Sequence, residues 1–299
     1  MSEGDKLRAR TSGGELAYLD AGDPEDPAVL FLHGFPTSSF LWRSVAPLFS
    51  PWMRVIAPDL LGCGDSDKPA DADLGIVAQA GYVRELLEGR GIGSLAVVGH
   101  GLGGGVAQLL ALGGGVRAMV LLDSVAFDGW PAEVTREAQR QAPESDAALA
   151  ETLLRTSFDL GMGHRARLTE DALAEYLRPY TGEEGSAACF RFLRSMDGRG
   201  LAGREAELER LEMPVLILWG EDDPFLPVGL AERLSDALPA STLALLPGCS
   251  HFLPEDAPET ISPLMFEYLR SWYLQVPHVH DVSAPVVLEL GRRLQEVDE

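Results

Sequence analysis

The chain has 299 residues, 46% of them hydrophobic and 23% charged, enough to bury a large core as one α/β domain or as one domain with an insertion. Asp and Glu number 46 against 24 Lys and Arg, a net charge of −22, which speaks against nucleic acid and anionic membrane as partners and leaves a neutral small substrate open. The start "MSEGDKLRARTSGGELAYLD" has no apolar stretch for a signal peptide and no run reaches the length of a membrane span; with only Cys63, Cys189 and Cys249, widely spaced, a cytoplasmic protein with unpaired thiols is expected.

In chain order, the first short apolar run is "AVLFLH" (28–33), followed by the sharp turn of His33-Gly34 and by Phe35. "MRVIAP" (53–58) leads into a Gly-rich loop, "DLLGCGDSDKP". "AQAGYVRELLEGRG" (78–91) places Tyr82, Val83, Leu86 and Leu87 on one helical stripe. "SLAVVG" (94–99) runs into "HGLGGGVA", and "RAMVLLD" (117–123) ends at Asp123. These runs are short and unalternating, which predicts strands buried on both faces, as in a parallel sheet.

The strand–helix rhythm stops after Ser124. Residues 125–210 read as helices, in "PAEVTREAQRQA", "DAALAETLLRTSFDLG", "TEDALAEYLRPY" and "GSAACFRFLRSMDG". "PVLILW" (214–219) resumes the sheet, with Asp223 in the turn "EDDP" just beyond it. "GLAERLSDALP" (229–239) is helical, with Leu230, Leu234 and Leu238 on one face, and "TLALLP" (242–247) precedes a loop that holds His251. The tail after Leu274 reads as a strand, a helix or loose chain. Its His278 and His280 are read as solvated rather than metal-binding. Alternating strands and helices imply a mostly parallel, doubly wound α/β sheet. The expected organisation is a core of residues 1–124 and 211–299 with a helical insertion at 125–210.

The stretch "GHGLGG" admits two readings. Gly99, Gly101 and Gly104 have the spacing of a dinucleotide fingerprint, and Asp123 stands 22 residues after Gly101, near the place of a ribose-binding acid. On this ground an NAD-dependent oxidoreductase stands as an alternative of a different class. Against it, such fingerprints normally open their fold, and this one follows at least two strands. The other reading is a nucleophile elbow, Gly-x-Nuc-x-Gly, in which Gly101 takes the nucleophile's place. An acid and then a histidine should follow, each after a strand, and Asp223 and His251 do. The backbone N–H groups of Phe35 and Leu102 are then the two donors for an oxyanion. Neither cofactor nor metal is called for.

On these motifs the chain resembles the α/β-hydrolase fold superfamily over residues 12–274. "HGFPTSSFLWR", "APDLLGCGDSDKP" and "WGEDDPFLP" are most similar to its epoxide hydrolase and haloalkane dehalogenase branch. The resemblance implies an aspartate nucleophile that forms an alkyl ester, a histidine that activates water to cleave it, and a helical cap at 125–210. It puts Gly101, Asp223 and His251 at the catalytic positions and Phe35 and Leu102 at the oxyanion hole. Tyr176 and Tyr180 are candidates for protonating an opening epoxide, though a Tyr pair at i, i+4 also serves plain packing. Trp130 and Phe252 are expected beside the substrate, with Trp130 equally readable as an anchor of the cap.

Gly101 departs from the family, since glycine cannot attack. Leu102 and Phe35 also stand where dehalogenases carry halide-holding groups. The parent reaction implied is hydrolysis of an epoxide or a similar small apolar electrophile, with Asp ahead of Ser as the parent nucleophile. Dehalogenation and serine-type ester hydrolysis are the alternatives. Three accounts of the glycine stand: a designed silencing of an otherwise intact enzyme, a natural change to direct attack by water, or a binding protein without turnover. A homodimer is compatible with each.

Overall fold

A computed structural model describes residues 6–273. The sheet has eight strands: β1 (Leu7–Thr11), β2 (Gly14–Ala21), β3 (Ala28–Leu32), β4 (Arg54–Pro58), β5 (Leu95–His100), β6 (Val116–Leu122), β7 (Val215–Gly220) and β8 (Ser241–Leu246). Their order is β1-β2-β4-β3-β5-β6-β7-β8. β2 is antiparallel to β1 and β4, and every other pair is parallel.

Each of the six predicted apolar runs forms a strand. Every residue of β3, β5 and β7 is buried, which is why these runs do not alternate. β8 is equally apolar in sequence but lies at the sheet edge with only Leu246 buried. The sequence reading did not separate β1 and β2. They form a hairpin whose first strand is mostly exposed, so no apolar run marks it.

Helix α1 (Ile76–Gly89) buries the predicted stripe of Tyr82, Val83, Leu86 and Leu87. Helix α2 (Leu102–Leu112) follows β5 directly and is buried along nearly its whole length. Its glycines allow close packing. A Cβ on Gly103 would stand 2.3 Å from the Leu32 carbonyl oxygen, and one on Gly104 would stand 2.1 Å from Ser124 Oγ. A Cβ on Gly99 would stand 2.5 Å from the Gly103 carbonyl oxygen, so close packing accounts for the glycines at 99 and 104 without a phosphate.

Among the described residues no strand lies between β6 and β7. The segment carries α3 (Glu133–Gln141), α4 (Ala147–Gly161), α5 (Glu170–Leu177), α6 (Gly182–Ser195) and the short α7 (Glu205–Leu208). Asp146 and Thr169 cap α4 and α5 by accepting the N–H groups of Leu149 and Ala172. α3 buries no residue, whereas α4 and α6 bury Leu154, Phe158, Phe190 and Phe192. The chain ends, as described, with α8 (Val228–Ala237), α9 (Leu253–Asp256) and α10 (Pro258–Tyr273). Residues 274–299, with the expected tail element, His278 and His280, lie outside the described residues. No described helix is long and apolar enough to cross a membrane.

The parallel strands all point their carboxyl ends the same way. The loops after β3, β5, β6, β7 and β8 therefore meet on one face, which is where open α/β sheets bind ligands.

Candidate active site

The site begins at the β5–α2 turn. Gly101 has φ +56° and ψ −121°, a conformation that L side chains rarely adopt. Its N–H donates to the Leu122 carbonyl, and its own carbonyl accepts from the Gly104 and Val125 amides. The turn is thus pinned from both sides. A Cβ at this position would make ordinary contacts: 3.5 Å to Gly34 Cα, 3.5 Å to His251 Nε2 and 3.8 Å to His251 Cε1. A side chain at position 101 would therefore begin between the Gly34 turn and the imidazole.

His251 is 7% exposed. Its Nδ1 lies 2.8 Å from Asp223 Oδ2. Asp223 is itself fixed, because Oδ1 accepts the Phe225 and Leu226 amides at 2.8 and 3.0 Å. A carboxylate at Nδ1 holds the proton there and leaves Nε2 as the basic nitrogen, the one facing position 101. Phe225 meets the imidazole edge-on at 5.2 Å and Phe252 at 5.1 Å, so the ring has little freedom to turn.

The turn after β3 approaches from the other side. A Cβ on Gly34 would lie 3.0 Å from the His100 carbonyl oxygen and 3.3 Å from Gly101 Cα, so a side chain there would crowd the elbow. His33 braces the turn: its Nε2 accepts the Leu60 amide and its Nδ1 donates to the Gly34 carbonyl. Burial lowers its pKa to about 4, so it stays neutral in this role. The amides of Phe35 and Leu102 have no hydrogen-bond partner among the described residues. His100 is fully buried, and its Nε2 donates to the His251 carbonyl at 2.8 Å. Burial, and next the neighbouring His251, push its pKa well below the ordinary histidine value.

A cavity of about 140 Å³ opens over these groups. Gly101, His251, Phe35, Leu102, Trp130 and Phe252 all line it. The helical segment supplies much of the remaining wall, including Val134 and Thr135 of α3, Ser157 and Leu160 of α4, and Met196 after α6. Asp223 stands behind the imidazole. Trp130 is buried, and its indole N–H has no partner among the described residues.

The two tyrosines lie elsewhere. Tyr176 donates its hydroxyl to Glu255, and that same hydroxyl accepts from Arg43 at 3.2 Å. Arg43 grips Glu255 with both guanidinium nitrogens. Burial, and then the Glu255 charge, raise the Tyr176 pKa well above the ordinary tyrosine value. Tyr180 is buried behind Phe35, with ring centroids 6.0 Å apart. Neither tyrosine lines the cavity.

Three groups have surroundings that the sequence does not disclose. Asp123 is fully buried with φ +41°, and its Oδ1 accepts the Gly220 amide at 2.8 Å. Its Oδ2 has no partner among the described residues. Burial, and next the charge of Asp223, raise its pKa well above the carboxylate range. A carboxylate so enclosed is not presented to a ribose, as the dinucleotide reading requires. Asp256 ties the His251 loop to the helical segment. Its Oδ2 accepts from Ser250 N and Gly163 N, its Oδ1 from His164 N, and Phe252 N donates to the Gly161 carbonyl. The Arg43–Glu255–Tyr176 cluster is a second tie between the two. The signal for both was "PED" two residues after His251-Phe252, but acidic residues at a helix start are also ordinary.

Residues 27–258 match the α/β hydrolase fold family. The chain belongs to that family. It is 30% identical over 281 residues to a haloalkane dehalogenase of Bradyrhizobium diazoefficiens, covering 85% of this chain and 90% of that one. It is 27% identical over 286 residues to epoxide hydrolase 4 of Mus musculus, covering 88% and 79%. The crystal structure of an α/β hydrolase fold protein from Burkholderia ambifaria superposes with a TM-score of 0.81 at 29% identity, covering 87% of this chain and 97% of the other.

Proposed function

We propose that the protein hydrolyses a small apolar electrophile with water as the direct nucleophile. The observation that carries this is the 3.5 Å between the Cβ position of residue 101 and His251 Nε2. A nucleophile's side chain would occupy that space, and glycine leaves it to a water within reach of the base. Asp223 holds the imidazole in the tautomer that accepts a proton at Nε2 and stabilises the cation that results. The step is then ordinary general-base catalysis: the water oxygen attacks as its proton passes to His251.

Epoxide hydrolysis through an aspartate at position 101 is the parent chemistry that the family branch suggests. In this chain it lacks the nucleophile, and neither tyrosine that would protonate the ring oxygen lines the cavity: Tyr176 is held by Glu255 and Arg43, and Tyr180 is buried behind Phe35. The apolar walls support a small apolar substrate without choosing among epoxide, haloalkane and ester. The lost attacking atom also favours a second reading, a protein that binds such a ligand and does not turn it over.

A single-turnover reaction in ¹⁸O-labelled water tests the proposal. Direct attack puts solvent oxygen into the product of the first turnover, and His251→Ala abolishes that product. A first product free of solvent oxygen overturns the water mechanism. Binding without product, equal in both proteins, supports the second reading. Tight NAD binding overturns both.

A further inference from the structure

Two aromatic rings bracket the His251 imidazole, and both rings meet one glycine of the helical segment. Gly161 is the last residue of α4 and is buried. A Cβ on it would stand 2.7 Å from Phe252 Cε2 and 2.8 Å from Phe225 Cε2. These are the rings that meet the imidazole edge-on, at 5.1 and 5.2 Å. We infer that Gly161 is a positioning residue: the carboxyl end of α4 sets the orientation of the base through Phe252 and Phe225. The inference rests on His251 being the base of the reaction proposed above.

Orientation passes through these contacts because the rings have little room to give way. Phe158, one turn earlier on α4, stacks on Phe252 with centroids 4.7 Å apart, and both rings are buried. The Phe252 backbone is held as well, since its N–H donates to the Gly161 carbonyl at 3.1 Å. Phe225 is tied to the acid, because its N–H donates to Asp223 Oδ1 at 2.8 Å. Gly161 therefore touches the residue after the base and the residue two beyond the acid.

The chain beyond Gly161 keeps this end of α4 in place. The buried Asp256 carboxylate accepts the amides of Gly163, His164 and Ser250 at 2.9 Å each, which joins that chain to the base loop. A Cβ on Gly163 would lie 2.4 Å from the Gly248 carbonyl oxygen, so the two backbones are in direct contact. The glycine at 161 answers to this close approach and not to a backbone need, since its φ lies outside the left-handed region and it belongs to a helix, where alanine is the better former. α4 also walls the cavity with Leu153, Ser157 and Leu160. The helix that meets the substrate thus ends on the rings that hold the base.

Ordinary contact for a Cβ begins at 3.4 Å, so a methyl group at 161 displaces both ring edges and with them the imidazole. A small misplacement of a reacting group costs orders of magnitude in rate, here about 10- to 10²-fold.

The test compares Gly161→Ala with Gly81→Ala in the intact chain. Gly81 lies inside α1, and a Cβ there meets nothing within 4 Å. One readout is the low-field proton resonance of the His251 Nδ1–H···Asp223 hydrogen bond. The other is steady-state kinetics on whichever of methyl hexanoate, hexyl bromide and terminal hexene epoxide is hydrolysed fastest. In Gly161→Ala the resonance should move or broaden, and kcat should fall about 10- to 10²-fold with KM nearly unchanged. In Gly81→Ala neither should change. An unchanged His251 resonance in folded Gly161→Ala overturns the inference, whatever the kinetics. Hydrolysis of none of the three probes overturns the proposed function instead, and the resonance then decides the positioning by itself. Phe225→Leu removes one of the two ring edges, so the shift caused by Gly161→Ala should be smaller in that background. Where Gly161→Ala alone fails to fold, the Phe225→Leu background carries the same comparison.

Discussion

The loops at the carboxyl ends of the strands and the helices between β6 and β7 use their polar residues in opposite ways. In the loops, the backbone fixes where each side chain points. β5 ends in a pinned turn, β7 in a turn whose amides hold Asp223, and β8 in a loop that sets His251 against both. In the helices, Tyr176, the candidate acid, is spent on attachment, while Thr135 and Ser157 line an otherwise mostly apolar wall. Tyr176 ties α5 to Glu255, and the amides after α4 are held by Asp256. The difference separates chemistry from closure: the sheet loops hold the groups that can move a proton, and the helical segment supplies apolar wall.

The largest expected effect lies on the loop side. His251→Ala removes the only base facing position 101 among the described residues. It should lower kcat about 10²- to 10⁴-fold, with a smaller loss of stability because Asp223 Oδ2 is left without its buried partner. Steady-state kinetics beside equilibrium unfolding check this. A small loss of turnover would move the chemistry away from the loops altogether.

Gly101→Ala comes next. The methyl group would sit 3.5 Å from His251 Nε2, in the space assigned to water. Turnover should fall to near background. At φ +56° the new Cβ should also cost about 1–2 kcal/mol of stability. Urea unfolding measures the second effect and single-turnover rates the first. Retained turnover in Gly101→Ala would mean that the attacking water stands elsewhere.

On the helical side, Tyr176→Phe sharpens the comparison. It removes a buried hydrogen bond to a charged partner, worth about 1.5–3 kcal/mol. Thermal unfolding should register that loss, and kcat should not change. A fall in kcat with stability retained would return Tyr176 to the reaction as an acid and restore epoxide opening to first place.

The same division explains what could be read from the sequence. Buried parallel strands announce themselves as short apolar runs, and a side chain one to four residues past such a run is placed by the sheet. So Gly101, Asp223 and His251 could be gathered from their positions alone, and the structure brings them together with Phe35 and Leu102. The mostly exposed β1 left no such trace. The i, i+4 spacing puts Tyr176 and Tyr180 on one helical face, but α5 ends at Leu177 and Tyr180 lies in the 3-10 turn beyond it. The partner of Tyr176, Glu255, comes from a distant part of the chain, and the Tyr180 hydroxyl is buried with no hydrogen-bond partner among the described residues. Asp123 was noticed as the end of a strand and weighed only as a ribose ligand. Its burial against Asp223 depends on how tightly β6 and β7 pack, which no local pattern records.

Asp123 gives the smallest effect and a test of how the loops tolerate two acids in one place. Burial, and then Asp223, raise its pKa in the folded chain above the ordinary 3.8. A carboxyl whose pKa is raised on folding binds its proton more tightly when folded. The stability it contributes is therefore fully present below the unfolded pKa. It is lost as pH rises from about 4 through the folded value. Asn at this position keeps the oxygen that accepts the Gly220 amide and cannot ionise. Asp123→Asn should therefore be close to the parent protein in stability at pH 4 and gain on it as pH rises above that, until the folded carboxyl ionises. Urea midpoints across that range measure the difference. A gap that does not change with pH would mean that Asp123 titrates alike in the folded and unfolded chains, and that Asp223 meets no second acid behind His251.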